Sequence, residues 1–151
     1  MSAVMFREAV DIHAPVERVW AYLVDWPRQS DWIPATHVWG VDEGAGIGTQ
    51  IEAWSGLGRV GFLDTMTITA WDPPHRCEVL HTGRVMRGEG GFELAPRGAD
   101  GSRLDWWERL RVPGGAAAPL VAPLVGPLSR QMIRRALGNL KRGVETGTRQ
   151  P

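Results

Sequence analysis

From Thr36 to Val112 the chain is cut into six short runs of alternating apolar and polar residues, separated by clusters of glycine, proline and aspartate. THVWGVD (Thr36–Asp42) gives way to EGAGIG, GTQIEAWS (Gly48–Ser55) to GLG, and RVGFLDTMTITAW (Arg59–Trp71) to Asp72-Pro73-Pro74. RCEVLHT (Arg76–Thr82) leads into VMRGEGGFELA (Val85–Ala95), and RGADG turns the chain into SRLDWWERLRV (Ser102–Val112). Strands joined by hairpin-type connections make an antiparallel sheet, and this constrains the fold more than any other feature.

What flanks the runs completes the layout. VMFREAVDI (Val4–Ile12) has the period of a half-buried strand. Pro15 suits the first turn of a helix, and Val16, Val19, Trp20 and Leu23 recur at helical spacing, so Pro15–Val24 reads as an amphipathic helix. Trp26-Pro27 ends it, because the residue before proline avoids helical angles. A second helical turn covers Arg28–Trp32 until Pro34. After Pro113-Gly114-Gly115, prolines 119, 123 and 127 recur every four residues, each unfavourable in a helix interior. Ile133, Leu137, Leu140 and Val144 still form a helical stripe. The expectation is a firm helix from about Pro127 to Thr146 with an irregular or kinked lead-in over 117–126. Residues 1–147 read as one domain and Thr148–Pro151 as a frayed tail.

Composition narrows the function classes. The chain has 151 residues, 43% hydrophobic and 23% charged, with a net charge of zero. That charge is uneven: residues 1–100 hold 8 basic and 14 acidic residues, residues 101–151 hold 9 and 3. With no aromatic residues interleaved among its basic ones, the tail reads as a solvated helix face on an acidic body, not a nucleic-acid surface. A single cysteine excludes an internal disulfide and any multi-cysteine metal site. Neither a signal pattern nor a membrane-spanning apolar run is present, so a cytoplasmic protein without stable membrane insertion is expected. The four histidines lack metal-ligand spacing, GEGG (88–91) does not open a helix as a dinucleotide fingerprint would, and WSGLG lacks a nucleophile elbow. No metal and no cofactor is implied.

Eight tryptophans against three phenylalanines and one tyrosine are unusual, and two of them stand in DWPRQSDWIP (Asp25–Pro34). An exposed tryptophan forgoes a large burial term, so this segment covers either core or a space for a guest.

The layout, with VDIHAPVERVWAYLVDWPRQSDWIP at the front, GIGTQI in the middle, AWDPPHRCEVLHTG at a strand corner and RALGNLKRGVE near the end, resembles the START-related (SRPBCC) superfamily, in its polyketide cyclase/dehydrase-like branch. The resemblance implies an α+β helix-grip fold. A curved seven-stranded antiparallel sheet would wrap around a long C-terminal helix, with two short helices between strands 1 and 2 and a hydrophobic cavity inside. Members bind lipids, sterols, polyketides or plant hormones, and some catalyse ring closure or dehydration. The proline-rich approach to the last helix departs from the pattern and resembles a mobile gate.

Alternation assigns inward side chains within that frame. Strand 1 presents Phe6, Glu8, Val10 and Ile12, and strand 4 presents Phe62, Asp64, Met66 and Ile68. Strand 5 presents Cys77, Val79 and His81, strand 6 Met86, Phe92 and Leu94, and strand 7 Leu104, Trp106, Glu108 and Leu110. The glycines at 88, 90 and 91 make a bulge most damaging to strand 6. The expected ligand contacts are Phe62, Asp64, Met66, Val79, His81, Phe92, Trp106 and Glu108 from the sheet. Met132 and Ile133 join them from the helix, and Trp32 stands at the cavity mouth. Trp20 is assigned to the core, while Trp26 fits either core or cavity rim.

Glu8, Asp64, His81 and Glu108 are ionisable groups on apolar faces, the minimal equipment for acid–base chemistry on a carbonyl compound. The plainer alternative pairs them with arginines such as Arg59, Arg84 or Arg109, or uses them to orient a mostly apolar guest. Cys77 reads as an inert buried thiol. The leading reading is a binder of a hydrophobic small molecule: a lipid, polyketide or aromatic metabolite. A cyclase or dehydratase using Glu108, Asp64, His81 or Glu8 is the alternative. A third reading uses the basic helix or Trp107 as an interface, as in a homodimer.

Overall fold

The computed structural model describes residues 3–42, 44–111 and 118–147. Seven strands run antiparallel in the order β1-β7-β6-β5-β4-β3-β2. They are β1 (Ala3–Ile12), β2 (Thr36–Gly40), β3 (Gln50–Leu57), β4 (Val60–Asp72), β5 (Arg76–Thr82), β6 (Arg87–Arg97) and β7 (Gly101–Arg111). Each hairpin pairs neighbours in sequence, and only the β1–β7 pairing joins distant parts of the chain. Helix α1 (Val16–Leu23), a 3-10 turn (Trp26–Arg28) and helix α2 (Gln29–Trp32) connect β1 to β2.

Helix α3 spans Ala118–Gly147, which corrects the expected start at Pro127 and the irregular lead-in. Pro119 falls in the first turn, where a missing N–H loses no partner. Pro123 and Pro127 would have bonded to the carbonyls of Pro119 and Pro123, so the lost bonds fall in one line along the helix and the remaining lines continue. The Pro113-Gly114-Gly115 spacer and the Thr148–Pro151 tail lie outside the described residues.

The core sits between the sheet and the stripe of α3. Ile133, Ala136, Leu137, Leu140 and Val144 are buried against Phe6, Ile12, Leu94 and Leu104 of the sheet and Val19 and Leu23 of α1. Each fully buried leucine contributes about 1.5–3 kcal/mol relative to exposure. Alternation holds along β4 until a register shift between Ile68 and Ala70, where Thr69 is the extra residue. The bulge turns Trp71 inward, and its ring meets Trp20 at 5.1 Å and Trp26 at 6.4 Å. Strand β6 keeps its register from Arg87 to Arg97 despite its glycines.

Candidate functional site

The core does not fill the space between β3–β7 and α3. A cavity of about 130 Å³ remains, walled by Met66, Val79, Phe92, Trp106 and Leu110 of the sheet, and by Met132 and Ile133 of α3. Trp26, Gln29, Ile33 and Val38 close the side where the short helices pass into β2. Three ionisable side chains stand in the mostly apolar wall, Asp64, His81 and Glu108, beside the uncharged polar Gln29, Thr36, Ser55 and Ser129.

Pairing explains why these three meet. Met66 lies opposite His81 across β4–β5, which puts Asp64 one inward position further along. Glu108 stands two strands from His81, with β6 between them. On that strand the inward positions opposite His81 and Glu108 are Gly88 and Gly90. A Cβ on Gly90 would lie 2.2 Å from Glu108 Oε2, so the carboxylate occupies space that any other residue would take. Glycine thus opens a window in β6 through which β5 and β7 side chains touch.

His81 donates from Nδ1 to Asp64, 3.0 Å from both carboxylate oxygens, and from Nε2 to Glu108 Oε2 at 3.0 Å. Trp106 Nε1 donates to Glu108 Oε1 at 2.8 Å. All three ionisable residues are less than a tenth exposed: Asp64 6%, His81 5% and Glu108 8%. Burial pushes the histidine down, but its hydrogen bonds to Asp64 and Glu108, with their charges, outweigh burial and raise it from 6.5 to about 10. At neutral pH His81 is therefore an imidazolium, and each ring N–H already has its acceptor. Cys77, in the same wall, is pushed up to about 12 by burial first and by the nearby Glu78 second, so its thiol stays protonated and inert.

Glu8 does not join them. Its carboxylate pairs with Arg134 of α3 at 3.1 Å, because the edge strand β1 lies beside that helix. The arginine partner is thus none of Arg59, Arg84 or Arg109. Phe62 shares the inward face but is not part of the wall among the described residues. It sits nearer the β3–β4 hairpin tip, which leaves the core: Leu57 and Val60 are 79% and 81% exposed there.

The tryptophans are also redistributed. Trp20 is core, as expected. Trp32, placed by the sequence at the mouth, is 1% exposed and outside the wall. Its ring stands edge-on to Trp106 at 5.9 Å and Phe92 at 6.3 Å, backing two residues that do line the cavity. Asn139 of α3 holds the Trp32 carbonyl at 3.1 Å, which draws the end of α2 inward. The chain then leaves α2 extended, and Ile33 reaches the wall instead, with Trp26.

Asp64, Met66, Val79, His81, Phe92, Trp106, Glu108, Met132 and Ile133 stand where the sequence placed them. The sequence reading missed Gln29, which follows no helix stripe, and Ser55, a polar residue that continues the inward alternation of Ile51 and Ala53 on β3. Gly90 carried a signal, an inward position on a strand, legible only once the register was known. Among the described residues no group of three histidine, cysteine or acidic side chains is arranged to hold a metal ion. Here the two carboxylates lie at opposite nitrogens of one ring, so no common point is shared.

A helix-grip sheet closed by a long helix over an apolar cavity defines the class of protein. Residues 3–145 match the family of polyketide cyclase/dehydrase and lipid transport proteins, and the chain belongs to that family. No curated protein matches it. Among solved structures it resembles the Zhui aromatase/cyclase from Streptomyces sp. R1128, with a TM-score of 0.82 at 17% identity over 98% of this chain and 97% of that one. It also resembles the protein TTHA0849 from Thermus thermophilus (0.83, 18%, 95% and 99%) and a START superfamily protein from Mycobacterium smegmatis (0.75, 17%, 94% and 97%). At such identities the likeness is one of fold. No helix among the described residues is long and apolar enough to cross a membrane.

Proposed function

We propose that the chain binds a small, mostly apolar molecule in this cavity, its polar end against the Asp64–His81–Glu108 wall. The observation that carries the reading is the cavity itself: a mostly apolar and aromatic wall in which the ionisable groups are gathered into one cluster. Its volume of about 130 Å³ suits a ring-sized guest, since a dry engineered cavity of about 150 Å³ takes up benzene. Longer lipid or polyketide chains need further room beyond the described wall. Native mass spectrometry after gentle purification, followed by calorimetry with single-ring aromatics, tests this. Retention or saturable uptake of such a guest is expected; no binding across a library of ring-sized compounds would defeat the reading.

A second reading, acid–base catalysis of dehydration or ring closure, is favoured by one observation: three of the four ionisable candidates converge within hydrogen-bond distance. The aromatase/cyclase named among its structural relatives is consistent with it. The charge state of His81 redefines the chemistry. An imidazolium is an acid or an oxyanion partner, not a base, and it delivers a proton only after releasing Asp64 or Glu108. Loss of water from a β-hydroxy ketone to give the enone, followed by absorbance, is the assay. Turnover lost in His81→Gln while binding persists would mark an enzyme; equal rates with and without the protein would mark a binder.

A further inference from the structure

The hydrogen-bonding capacity of the cavity wall is unequally shared between donors and acceptors. The cluster contains three N–H donors: His81 Nδ1, His81 Nε2 and Trp106 Nε1. All three already point at carboxylate oxygens, at 2.8–3.0 Å. Two carboxylates offer about eight lone-pair directions between them, so several stay open to a guest. Beyond the cluster the wall's polar groups, Gln29, Thr36, Ser55 and Ser129, are uncharged and mix donors with acceptors. Gln29, 6% exposed, spends one of its two amide N–H groups on the Leu23 carbonyl at 2.8 Å, and its Oε1 has no donor among the described residues. The Thr36 hydroxyl donates to the Pro34 carbonyl at 2.9 Å. The 3.0 Å contact between Thr36 and Ser55 must then be donated by Ser55, which leaves the Ser55 oxygen as an acceptor.

We infer that the cavity selects guests whose polar end is a hydrogen-bond donor, a hydroxyl, amide N–H or ammonium group on a small ring, and rejects carboxylates. The inference rests on the binding reading above and specifies its ligand class. A guest carboxylate at this end would meet Asp64 and Glu108 with no free N–H from the cluster, and must displace one of them from His81 or settle for uncharged donors such as Gln29 while facing two buried acids. A guest hydroxyl finds an open lone pair without breaking any bond.

Calorimetry with benzene, phenol, benzamide and benzoate at pH 7.5 tests this, benzamide serving as the near-isostere of benzoate. Phenol and benzamide are expected to bind on the order of tenfold or more tighter than benzoate, with benzene binding measurably, because a charge-assisted hydrogen bond is gained or refused. Benzoate binding as tightly as benzamide would overturn the inference while leaving the cavity as a binding site. No heat from any of the four would overturn the binding reading, and the inference with it. Glu108→Gln, which brings an N–H donor into the wall, should shrink the benzamide-to-benzoate ratio several-fold. An unchanged ratio in the folded variant also counts against the inference. Should that variant not fold, the wild-type series alone decides.

Discussion

Two ends of one sheet face follow the same alternation to opposite results. Toward β1, the inward side chains Ile12 and Leu104 meet the stripe of α3 and close into solid core, with Phe6 at the boundary where the cavity begins. The one acid there, Glu8, escapes to the margin and pairs with Arg134, whose side chain is 64% exposed. Toward β4–β6 the face stays open. Glycines replace side chains on β6, and two acids and a histidine remain inside, bonded to one another. The difference lies in the neighbours, not in the residue type. Glu8 and Glu108 sit on adjacent strands in an apolar pattern, but only Glu108 has an empty position beside it and a histidine beyond.

The largest effect should come from the solid end. Leu137 is 2% exposed in the stripe, and Leu137→Ala should cost about 2–5 kcal/mol in urea denaturation. Met132→Ala, at the cavity wall, should cost clearly less, since the space beside it is already empty. Equal losses would erase the distinction between core and cavity.

Next is the glycine window. Gly90→Ala places a methyl group 2.2 Å from Glu108 Oε2, so the carboxylate must leave His81. A loss of about 1–3 kcal/mol is expected from overpacking, together with a fall of the His81 pKa in an NMR titration. A variant as stable as wild type, with the titration unmoved, would mean that Gly90 does not make the site.

The third test is pH. A histidine at about 10 in the folded chain against 6.5 when unfolded stabilises the fold fully below pH 6.5, and loses that contribution as pH rises through about 10. Midpoints of denaturation should therefore fall between pH 7 and pH 10, and His81→Gln should flatten the decline. The smallest effect belongs to Glu8→Gln. Its ion pair reaches a largely solvated arginine, so the change should stay within about 0.5–1 kcal/mol.

The sheet, its antiparallel order and most of the cavity wall were legible in the sequence because period-two alternation survives folding wherever one face is buried. His81, Asp64 and Glu108 could be picked out as polar residues on apolar faces. Their bonding to each other was not legible, because it depends on which β6 positions stand between β5 and β7, and register is a property of pairing. Trp32 moved from the mouth to the core, and Trp26, left open between core and rim, reached the wall, for a similar reason. A four-residue helix has no periodicity to read, and the Asn139 bond that orients its end comes from 107 positions along the chain. The start of α3 escapes a reading that counts proline penalties one by one, because four-residue spacing aligns the losses along one line of carbonyls.

Methyl NMR of the methionines tests the cavity directly. Met66, Met86 and Met132 line it, while Met5 is 53% exposed on β1 and outside it. On titration with phenol, the first three methyl signals should move together and saturate at one midpoint while Met5 stays still. Shifts that never saturate, or that appear at Met5 as strongly as at Met66, would contradict a binding cavity at the Asp64–His81–Glu108 wall.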